Sequence, residues 1–533
     1  MFSSRWRISL VLLILASFIL AGCGGAPATS TSTSQPAATT AATTAPSTVA
    51  ATTAATTGAT TAATAAATTA ATTGATTAAT TGATTAATAG ATTAATTAAT
   101  AGATTAAAAA GPTPKPTAPP PTLTPAPGAV TLQYWDMDWG FKQVLQDRVN
   151  EFNKQNPGIY VKFTQLEWGD YTQKLQGAIA AGTTPDVSGG DSGLPFNFDA
   201  QGQALPLDDL YAKFKSDGRF ADLTQWGQDK WNYNGHYVGV SWQIDPRAIF
   251  YRKDLFQQAG IQPPTNHDEL LAAAKKLNDP SKGISGICVP GKQGSYDTDQ
   301  FYMTLVFQDG GGLADPQGKP TFDTPEQLTA LKFEKELVSA AAPKGTPSYT
   351  FAEVGRFYEQ GKCAMAFEGG WYIDQLHTDK PDMFNNTAIL PVLKGQGAKA
   401  TQRIVGFYNP WMVYKQSKHP AEAMKFVDFM MQKSSLKTIY DAVGGTKGSV
   451  YKSLRQDPVY QKNAMTKDFA EQVEKYAVDY WYPNNAAAIG IGAIGTGITD
   501  TIVNPVLTGS RSPEDALKDA QTKLGDIFQQ KTP

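Results

Sequence analysis

The sequence predicts an α/β protein whose folded part has two lobes joined by a hinge and is preceded by a disordered tether. After residue 129, strand-like segments alternate with amphipathic helix-like segments, which is typical of a mostly parallel sheet. This part runs to residue 533, which is long for a single core. The run Val238–Phe256 reads as strand on both sides of Asp245-Pro246, as expected where a strand leaves one lobe and enters another.

The N-terminus has the pattern of an export signal. Arg5 and Arg7 precede a mostly apolar stretch, Ile8–Leu20, that is too short to span a bilayer comfortably. Leu20-Ala21-Gly22-Cys23 resembles a bacterial lipobox. We therefore predict a lipoprotein signal peptide at 1–22 and lipidation of Cys23, with an ordinary signal peptide as the alternative. Diacylglycerol plus an N-acyl chain is enough for stable anchoring on the extracytoplasmic face of the cell membrane, at the cell surface or in the periplasm.

Residues 23–128, from the lipidated cysteine onward, are predicted to form a disordered linker. Ala and Thr dominate, the end is rich in Pro, and Lys115 is the only charged residue of the linker. Large apolar side chains do not recur at helical or strand spacing, so no core can form. As a flexible chain the linker has a root-mean-square reach on the order of 60 Å. The density of Thr would permit O-glycosylation.

The folded part, residues 129–533, is mildly acidic. All 46 acidic residues of the chain lie in it, together with all basic residues except Arg5, Arg7 and Lys115, out of 44. The absence of a basic stripe argues against nucleic acid as a partner. Cys288 and Cys363 are expected to be buried thiols, with a disulfide in an oxidising compartment as the alternative.

The first elements of the folded part place polar and aromatic residues at strand ends. A strand is predicted at Val130–Trp135, a helix with apolar residues at 3.6 spacing from Phe141 to Phe152, and a second strand at Tyr160–Phe163. Ligands of such sheets bind beyond the carboxyl ends of the strands. Trp135, Asp136 and Asp138 are at the end of the first strand, and Asp191 is in the loop after a third strand that Gly182–Val187 leads into.

Later segments of the chain contain residue patterns that predict where helices begin. Thr324-Pro325 combines a capping residue with Pro at the first helical position. Thr265 and Asp268 have capping-box spacing, and Ser512 is predicted to cap the last helix.

Tryptophan residues beside acids are typical of carbohydrate sites. Flat aromatic rings cover the apolar C–H face of a sugar, while carboxylates bind its hydroxyls. The pairs are Trp135/Asp136, Trp139/Asp138, Trp242/Asp245 and Trp371/Glu368. Tyr408 and Trp411 are expected to face either the cleft or the core.

Catalytic and cofactor patterns are weak. G-x-S-x-G, H-E-x-x-H and C-x-x-C are absent, and the four His residues are isolated. Gly490–Gly495 matches G-x-G-x-x-G but lacks the strand–turn–helix context of a dinucleotide loop. We therefore predict no enzyme, no cofactor and no metal site.

Several segments together resemble bacterial extracellular solute-binding protein family 1, the sugar-binding lipoproteins of ABC importers similar to maltose-binding protein. The matching segments are Gly182–Val187, Gln203–Leu210, Tyr251–Leu255, Gly361–Trp371 and Ser512–Gln521, and the resemblance extends over all of 129–533. The family usually has Asn where this chain has Arg252.

The resemblance implies a type II periplasmic-binding-protein-like fold, with lobe 1 at 129–245 plus 407–450 and lobe 2 at 246–406 plus 451–533. It implies that Trp371 stacks on a sugar, with Glu368 as its polar neighbour. The predicted ligand-binding residues are Trp135, Asp136, Asp138, Asp191, Trp242, Asp245, Glu368, Trp371, Tyr408 and Trp411.

The resemblance also implies a function: the lipid-anchored substrate-binding subunit of an ABC importer, which captures a sugar or oligosaccharide and delivers it to permease subunits in the membrane. A monomer is expected. Within the same fold, a polyamine, peptide or other polar solute is the alternative ligand. Outside it, the alternatives are a secreted glycoside hydrolase, because paired carboxylates also serve that chemistry, and a cell-surface adhesin.

Overall fold

The computed structural model describes residues 123–137, 141–167, 171–494 and 497–531. The predicted signal peptide, Cys23, almost all of the linker, Asp138 and Trp139 lie outside the described residues. The strands are β1 Val130–Met137, β2 Ile159–Leu166, β3 Val187–Ser188, β4 Asn232–Tyr233, β5 His236–Tyr237, β6 Val240–Arg252, β7 Met365–Gly369, β8 Thr387–Ile389, β9 Ile404–Val413 and β10 Ala477–Val478.

Helices cover the faces of the sheet and connect most of its strands. The α-helices are Lys142–Gln155, Tyr171–Ala180, Leu194–Ala200, Asp208–Ser216, Arg219–Asp222, Gln225–Asp229, Lys253–Ala259, His267–Leu277, Tyr296–Gln308, Pro325–Ala341, Phe351–Glu359, Trp371–Asp379, Pro381–Asn386, Pro420–Met430, Lys433–Ala442, Ala464–Tyr476, Ala488–Ile494, Asn504–Leu507 and Pro513–Lys531. In the described part of the chain, none of these helices combines the length and apolar character needed to cross a membrane.

Eight strands form one mixed sheet in the order β2-β1-β3-β9-β6-β7, with β10 beside β9 and β8 beside β6, while β4 and β5 form a separate antiparallel pair. β1 is parallel to β2 and β3, as the alternation of strands and helices predicts. β9 is antiparallel to both β3 and β6. The two long strands in the middle therefore connect the sheet of one lobe to that of the other, which gives the two-lobe α/β architecture that the sequence predicts.

β6 is a single continuous strand rather than the two segments expected on either side of Asp245-Pro246. Its first half pairs with β9 as far as Pro246, opposite Gly406. Its second half pairs with β7 from Arg247, opposite Gly369. Pro lacks a backbone N–H, and it is tolerated here because it stands where the strand changes partners. The residue boundaries of the two lobes stay a prediction.

Cys288 and Cys363 form a disulfide, so the expectation of two free buried thiols is wrong. Their Cα atoms are 5.8 Å apart, and both residues are fully buried. The two cysteines are 75 residues apart in the sequence, so the sequence alone does not show that they are close. They meet because the segment around Cys288 lies alongside β7.

Two predicted helix caps are present and one is displaced by a residue. Thr324 accepts a hydrogen bond from the Gln327 amide, and Ser512 accepts one from the Asp515 amide. For the helix His267–Leu277 the cap is Asn266 instead of Thr265. The carbonyl of Thr265 accepts a hydrogen bond from the Lys394 amide, which holds Thr265 outside the helix.

Candidate functional site

The candidate site lies where β6 passes from β9 to β7, and Arg247 is at its centre. The side chain is only 6% exposed. Its guanidinium lies 4.7 Å from the ring centroid of Trp371 and 5.2 Å from that of Phe407. Its Nε donates a hydrogen bond to Gln300 Oε1. Because β6, β9 and the helices Tyr296–Gln308 and Trp371–Asp379 all contribute, this cluster exists only in the folded chain.

Asp245 is held by two cations. Its carboxylate lies 2.6 Å from Lys447 Nζ and 3.2 Å from Arg247 Nη1. Burial alone would raise the pKa of this carboxyl, but Lys447 and Arg247 outweigh burial and hold the pKa below its usual value. Asp245 is therefore ionised at neutral pH, and its charge fixes the position of both cations beside Trp371.

The position of Trp371 requires the two glycines before it. β7 ends at Gly369, and a helix begins at Trp371. A Cβ at Gly369 would lie 1.8 Å from the Trp371 ring, and one at Gly370 would lie 2.2 Å from the Thr446 carbonyl oxygen. The indole therefore packs flat against a backbone that carries no side chain, and it remains partly exposed.

Two exposed aromatic side chains border this cluster, and the sequence analysis did not identify them. Tyr296 is 59% exposed and Phe351 is 45% exposed, a degree that large apolar side chains rarely show in the described part of the chain. Phe351 meets Trp371 edge to face, with ring centroids 5.9 Å apart. Large aromatic rings left open to solvent beside a charged cluster are typical of a ligand site.

The surroundings of Tyr296 connect it to a predicted site residue. Desolvation by nearby protein atoms, with further contributions from Asp191 and Asp299, raises the pKa of Tyr296 to about 12. Asp191 follows β3, whereas Tyr296 begins a helix after a long connection. Tyr296 could have been found by the argument applied to the Trp residues, because Tyr296-Asp297 is also an aromatic residue beside an acid.

Unlike Asp245, three other carboxyl groups near Arg247 and Tyr296 resist ionisation. Burial raises the pKa of Asp297, and Arg247 opposes this shift. Burial raises the pKa of Asp299 well above its usual range, and Asp500 adds to the effect. Burial likewise raises the pKa of Glu368, with Asp297 adding and Arg247 opposing. A carboxyl group that keeps its proton can donate as well as accept a hydrogen bond.

Four of the predicted ligand-binding residues come together in this region. Asp245 and Trp371 contact Arg247, Glu368 is on β7 beside it, and Asp191 acts electrostatically on Tyr296. Asp191 Oδ1 accepts hydrogen bonds from the amides of Gly193 and Leu194, at 2.7 and 3.2 Å. One carboxylate oxygen is thereby used to begin the following helix.

Other predicted residues form a buried layer in the sheet. Trp242 and Trp411 are fully buried and stack with ring centroids 5.0 Å apart. Trp411 Nε1 donates a hydrogen bond to the buried Asp136 carboxylate at 3.1 Å. The Tyr408 side chain is also buried, whereas Trp135 is partly exposed. The predictions of ligand contact for these residues stay predictions, as does that for Asp138, outside the described residues.

Metal binding finds no support in the described part of the chain. Its His, Cys, Asp and Glu residues form no group of three or more that could hold a metal ion. The residues of the candidate site offer stacking on aromatic rings and hydrogen bonding to carboxyl and guanidinium groups.

The protein has two strands shared between its lobes, and an aromatic and acidic cluster lies beside them. These features are typical of two-lobe periplasmic binding proteins. The model of the bacterial extracellular solute-binding protein family matches residues 138–435, more than half of the chain, and the protein belongs to this family.

In the alignments with individual relatives, about a quarter of the aligned residues are identical. A binding protein of Brucella abortus (strain 2308) is 27% identical over 71% of this chain and 88% of its own length. The arabinooligosaccharide-binding protein of Bacillus subtilis (strain 168) is 25% identical over 57% of this chain and 69% of its own length. The crystal structure of an ABC transporter solute-binding protein from Agrobacterium radiobacter K84 in complex with ribitol superimposes with a TM-score of 0.64 and 25% identity, over 75% of this chain and 99% of that one.

Proposed function

We propose that this protein is the lipid-anchored substrate-binding subunit of an ABC importer, and that it captures a sugar or polyol between its lobes and delivers it to a membrane permease. The observation that carries the proposal is the cluster in which Trp371 lies against Arg247 and Phe351 against Trp371, at the point where β6 passes between the lobes. The exposed Tyr296 begins the helix whose Gln300 binds Arg247. Trp371 stacks on the ligand, and Asp191, Asp297 and Arg247 bind its hydroxyls.

The chemistry of the site favours a neutral, hydroxyl-rich ligand over a polyamine. A polyamine needs ionised carboxylates to balance its charge, whereas burial opposes ionisation of Asp297, Asp299 and Glu368. The related proteins named for an arabino-oligosaccharide and solved with ribitol agree with this preference.

The proposed function is tested by titrating the purified protein with ribitol, arabino-oligosaccharides, other mono- and oligosaccharides, and spermidine, followed by calorimetry and Trp fluorescence. We expect saturable binding of a sugar or polyol that is recovered unchanged. Binding of spermidine alone would keep the fold and replace the ligand class. Consumption of the sugar would make the protein a glycoside hydrolase and contradict the proposal.

Trp371→Ala is expected to weaken binding of that ligand by about 1–3 kcal/mol, the range for loss of one stacking contact. Tyr296→Ala should weaken it in the same direction, and because Tyr296 is 59% exposed, its removal should leave stability nearly unchanged. Phe384→Ala, a partly buried aromatic residue on the helix Pro381–Asn386, is the control and should bind normally. Affinity equal to wild type in both site variants, with intact folding, would place the ligand elsewhere.

Cys23→Ser is expected to abolish membrane anchoring, because the lipid is attached to the Cys23 thiol. Cells expressing the wild-type chain should incorporate labelled palmitate into it and retain it in the membrane fraction. The variant should be unlabelled, and Cys288→Ser serves as a control that should still be labelled. A labelled Cys23→Ser chain would refute lipidation at this position.

A further inference from the structure

The disulfide joins two chain segments that each lead to the candidate site. The segment 285–292 runs alongside β7, with parallel bridges between Ser285 and Cys363 and between Cys288 and Ala366. The Cys288 amide donates to the Met365 carbonyl at 2.8 Å, and the Phe367 amide donates to the Cys288 carbonyl at 3.1 Å. Ser285 adds two more backbone hydrogen bonds: its amide donates to the Lys362 carbonyl at 2.8 Å, and its carbonyl accepts from the Ala364 amide at 2.9 Å. The covalent bond Cys288–Cys363 reinforces this pairing.

Each segment ends at an aromatic residue of the cluster. From Cys363 the chain continues through β7 to Trp371. From Cys288 it continues to the helix that begins at Tyr296. On the way, the amides of Gly291 and Lys292 both donate to the Tyr349 carbonyl, at 3.0 and 3.1 Å, two residues before Phe351.

The two chain segments joined by the disulfide differ in how much strand pairing holds them in place. β7 is paired with β6 along all of its residues, Met365–Gly369. The segment 285–288 has four backbone hydrogen bonds to residues 362–367, whereas residues 289–292, which lead towards Tyr296, have no strand partner in the described part of the chain. The segment 285–288 also rests on neighbouring helices, with Gly286 against the Ala274 carbonyl and the Ile287 amide donating to the Ala341 carbonyl at 3.2 Å. A covalent link therefore adds most to the less firmly held segment.

We propose that the Cys288–Cys363 disulfide is a positioning element of the binding site, which fixes Tyr296 and Phe351 at their distance from Trp371 before the ligand arrives. This inference rests on the proposed function. Preorganised contact groups bind more tightly, because the ligand does not have to offset the entropy lost when they become ordered. The disulfide thus contributes to the affinity for the ligand as well as to the stability of the fold.

Two disulfide-free variants test this inference: Cys288→Ala/Cys363→Ala, and Cys288→Val/Cys363→Ala, which replaces part of the lost volume. Ribitol and arabino-oligosaccharides are titrated at a temperature where circular dichroism shows both variants folded. We expect roughly tenfold weaker binding in both. Rescue of affinity by the Val variant would assign the effect to packing and overturn the inference.

Amide hydrogen exchange provides a measurement that needs no ligand. Exchange in residues 289–297 should become faster in the disulfide-free variants, while exchange in β9, Ile404–Val413, stays unchanged. Equal exchange in residues 289–297 with and without the disulfide would overturn the positioning role. A wild-type protein that binds neither sugar nor polyol would instead contradict the proposed function, so the two failures are distinguishable.

Gly291→Ala keeps both cysteines and displaces the same segment, so it tests the inference even if the disulfide-free chains fail to fold. A Cβ at Gly291 would lie 2.7 Å from the Thr346 carbonyl oxygen and 3.1 Å from Leu507 Cδ1. The segment must shift away from Tyr349, and binding should weaken severalfold. Unchanged affinity would show that the position of this segment does not matter to the site.

Discussion

Lys230→Met is expected to lower the free energy of unfolding by about 3–5 kcal/mol, the cost of leaving one partner of a buried ion pair without the other. Lys230 Nζ lies 2.6 Å from Asp479 Oδ1, and both side chains are 0% exposed. The ammonium is surrounded by the rings of Phe196, Trp231 and Trp481, with centroids at 5.5, 4.8 and 5.3 Å. Without it, Asp479 keeps only backbone donors from Tyr408 and Trp481.

The loss should depend on pH. Burial lowers the pKa of Lys230 to about 8 and raises that of Asp479, and each partner opposes the shift of the other. In the variant the buried Asp479 can escape the cost of its charge by taking a proton. Urea denaturation should therefore show a smaller loss at pH 5 than at pH 7.

Lys213→Met is the matched control, because Lys213 also forms an ion pair, with Asp428 at 2.7 Å, but its side chain is 57% exposed. Its loss should stay below about 1 kcal/mol, since water screens the pair. Equal losses in Lys230→Met and Lys213→Met would show that burial does not decide the strength of the Lys230 pair.

Glu334→Gln is expected to stabilise the protein at neutral pH and to have almost no effect at pH 4.5. Glu334 lies in the helix Pro325–Ala341 and is 0% exposed, and neither carboxyl oxygen has a hydrogen-bond partner in the described ranges of the chain. Burial raises its pKa from 4.5 to about 8. Between these values the folded protein holds a proton that the unfolded chain has released.

The sign of the effect follows from this difference in protons. A raised pKa in the folded state gives a stability contribution that is fully present below pH 4.5 and is lost as the pH rises to about 8. Glutamine cannot ionise, so the variant escapes this loss. The gain should reach roughly 3 kcal/mol at pH 7, from 1.36 kcal/mol per pH unit.

Denaturant unfolding of both chains between pH 4.5 and 8 measures this difference. Glu336→Gln on the same helix is the control, because Glu336 is 57% exposed and pairs with Lys275 on the surface. Its effect should be small and nearly independent of pH. A stability difference for Glu334→Gln that does not grow with pH would mean that Glu334 is ionised in the folded protein.

The sequence alone was sufficient to predict features that depend on residues close together in the chain. The alternation of strands and helices, the start of a helix at Thr324-Pro325 and the motif ending at Trp371 are each contained in a short stretch, and the structure has all three elements. The family resemblance uses the same local information and was confirmed by the family match over residues 138–435.

The site was only partly predictable, because a pattern of residue types does not show which side chains become buried. Trp242 and Trp411 have the same aromatic character as Trp371, but they stack on each other inside the sheet. Tyr296-Asp297 has the same pattern as the Trp–acid pairs, but the sequence does not show that Tyr296 is 59% exposed.

By itself, the sequence determined the α/β class, the two-lobe fold and the family of this protein, because repeated spacings of apolar residues and turn motifs encode them locally. Only the tertiary structure decided the disulfide and the partners of Arg247 and Asp245. Asp245 and Lys447 are 202 residues apart, and Arg247 and Gln300 are 53 apart. Contacts over such separations form when β6, β7 and β9 pair. No pattern within a short stretch of the chain predicts them.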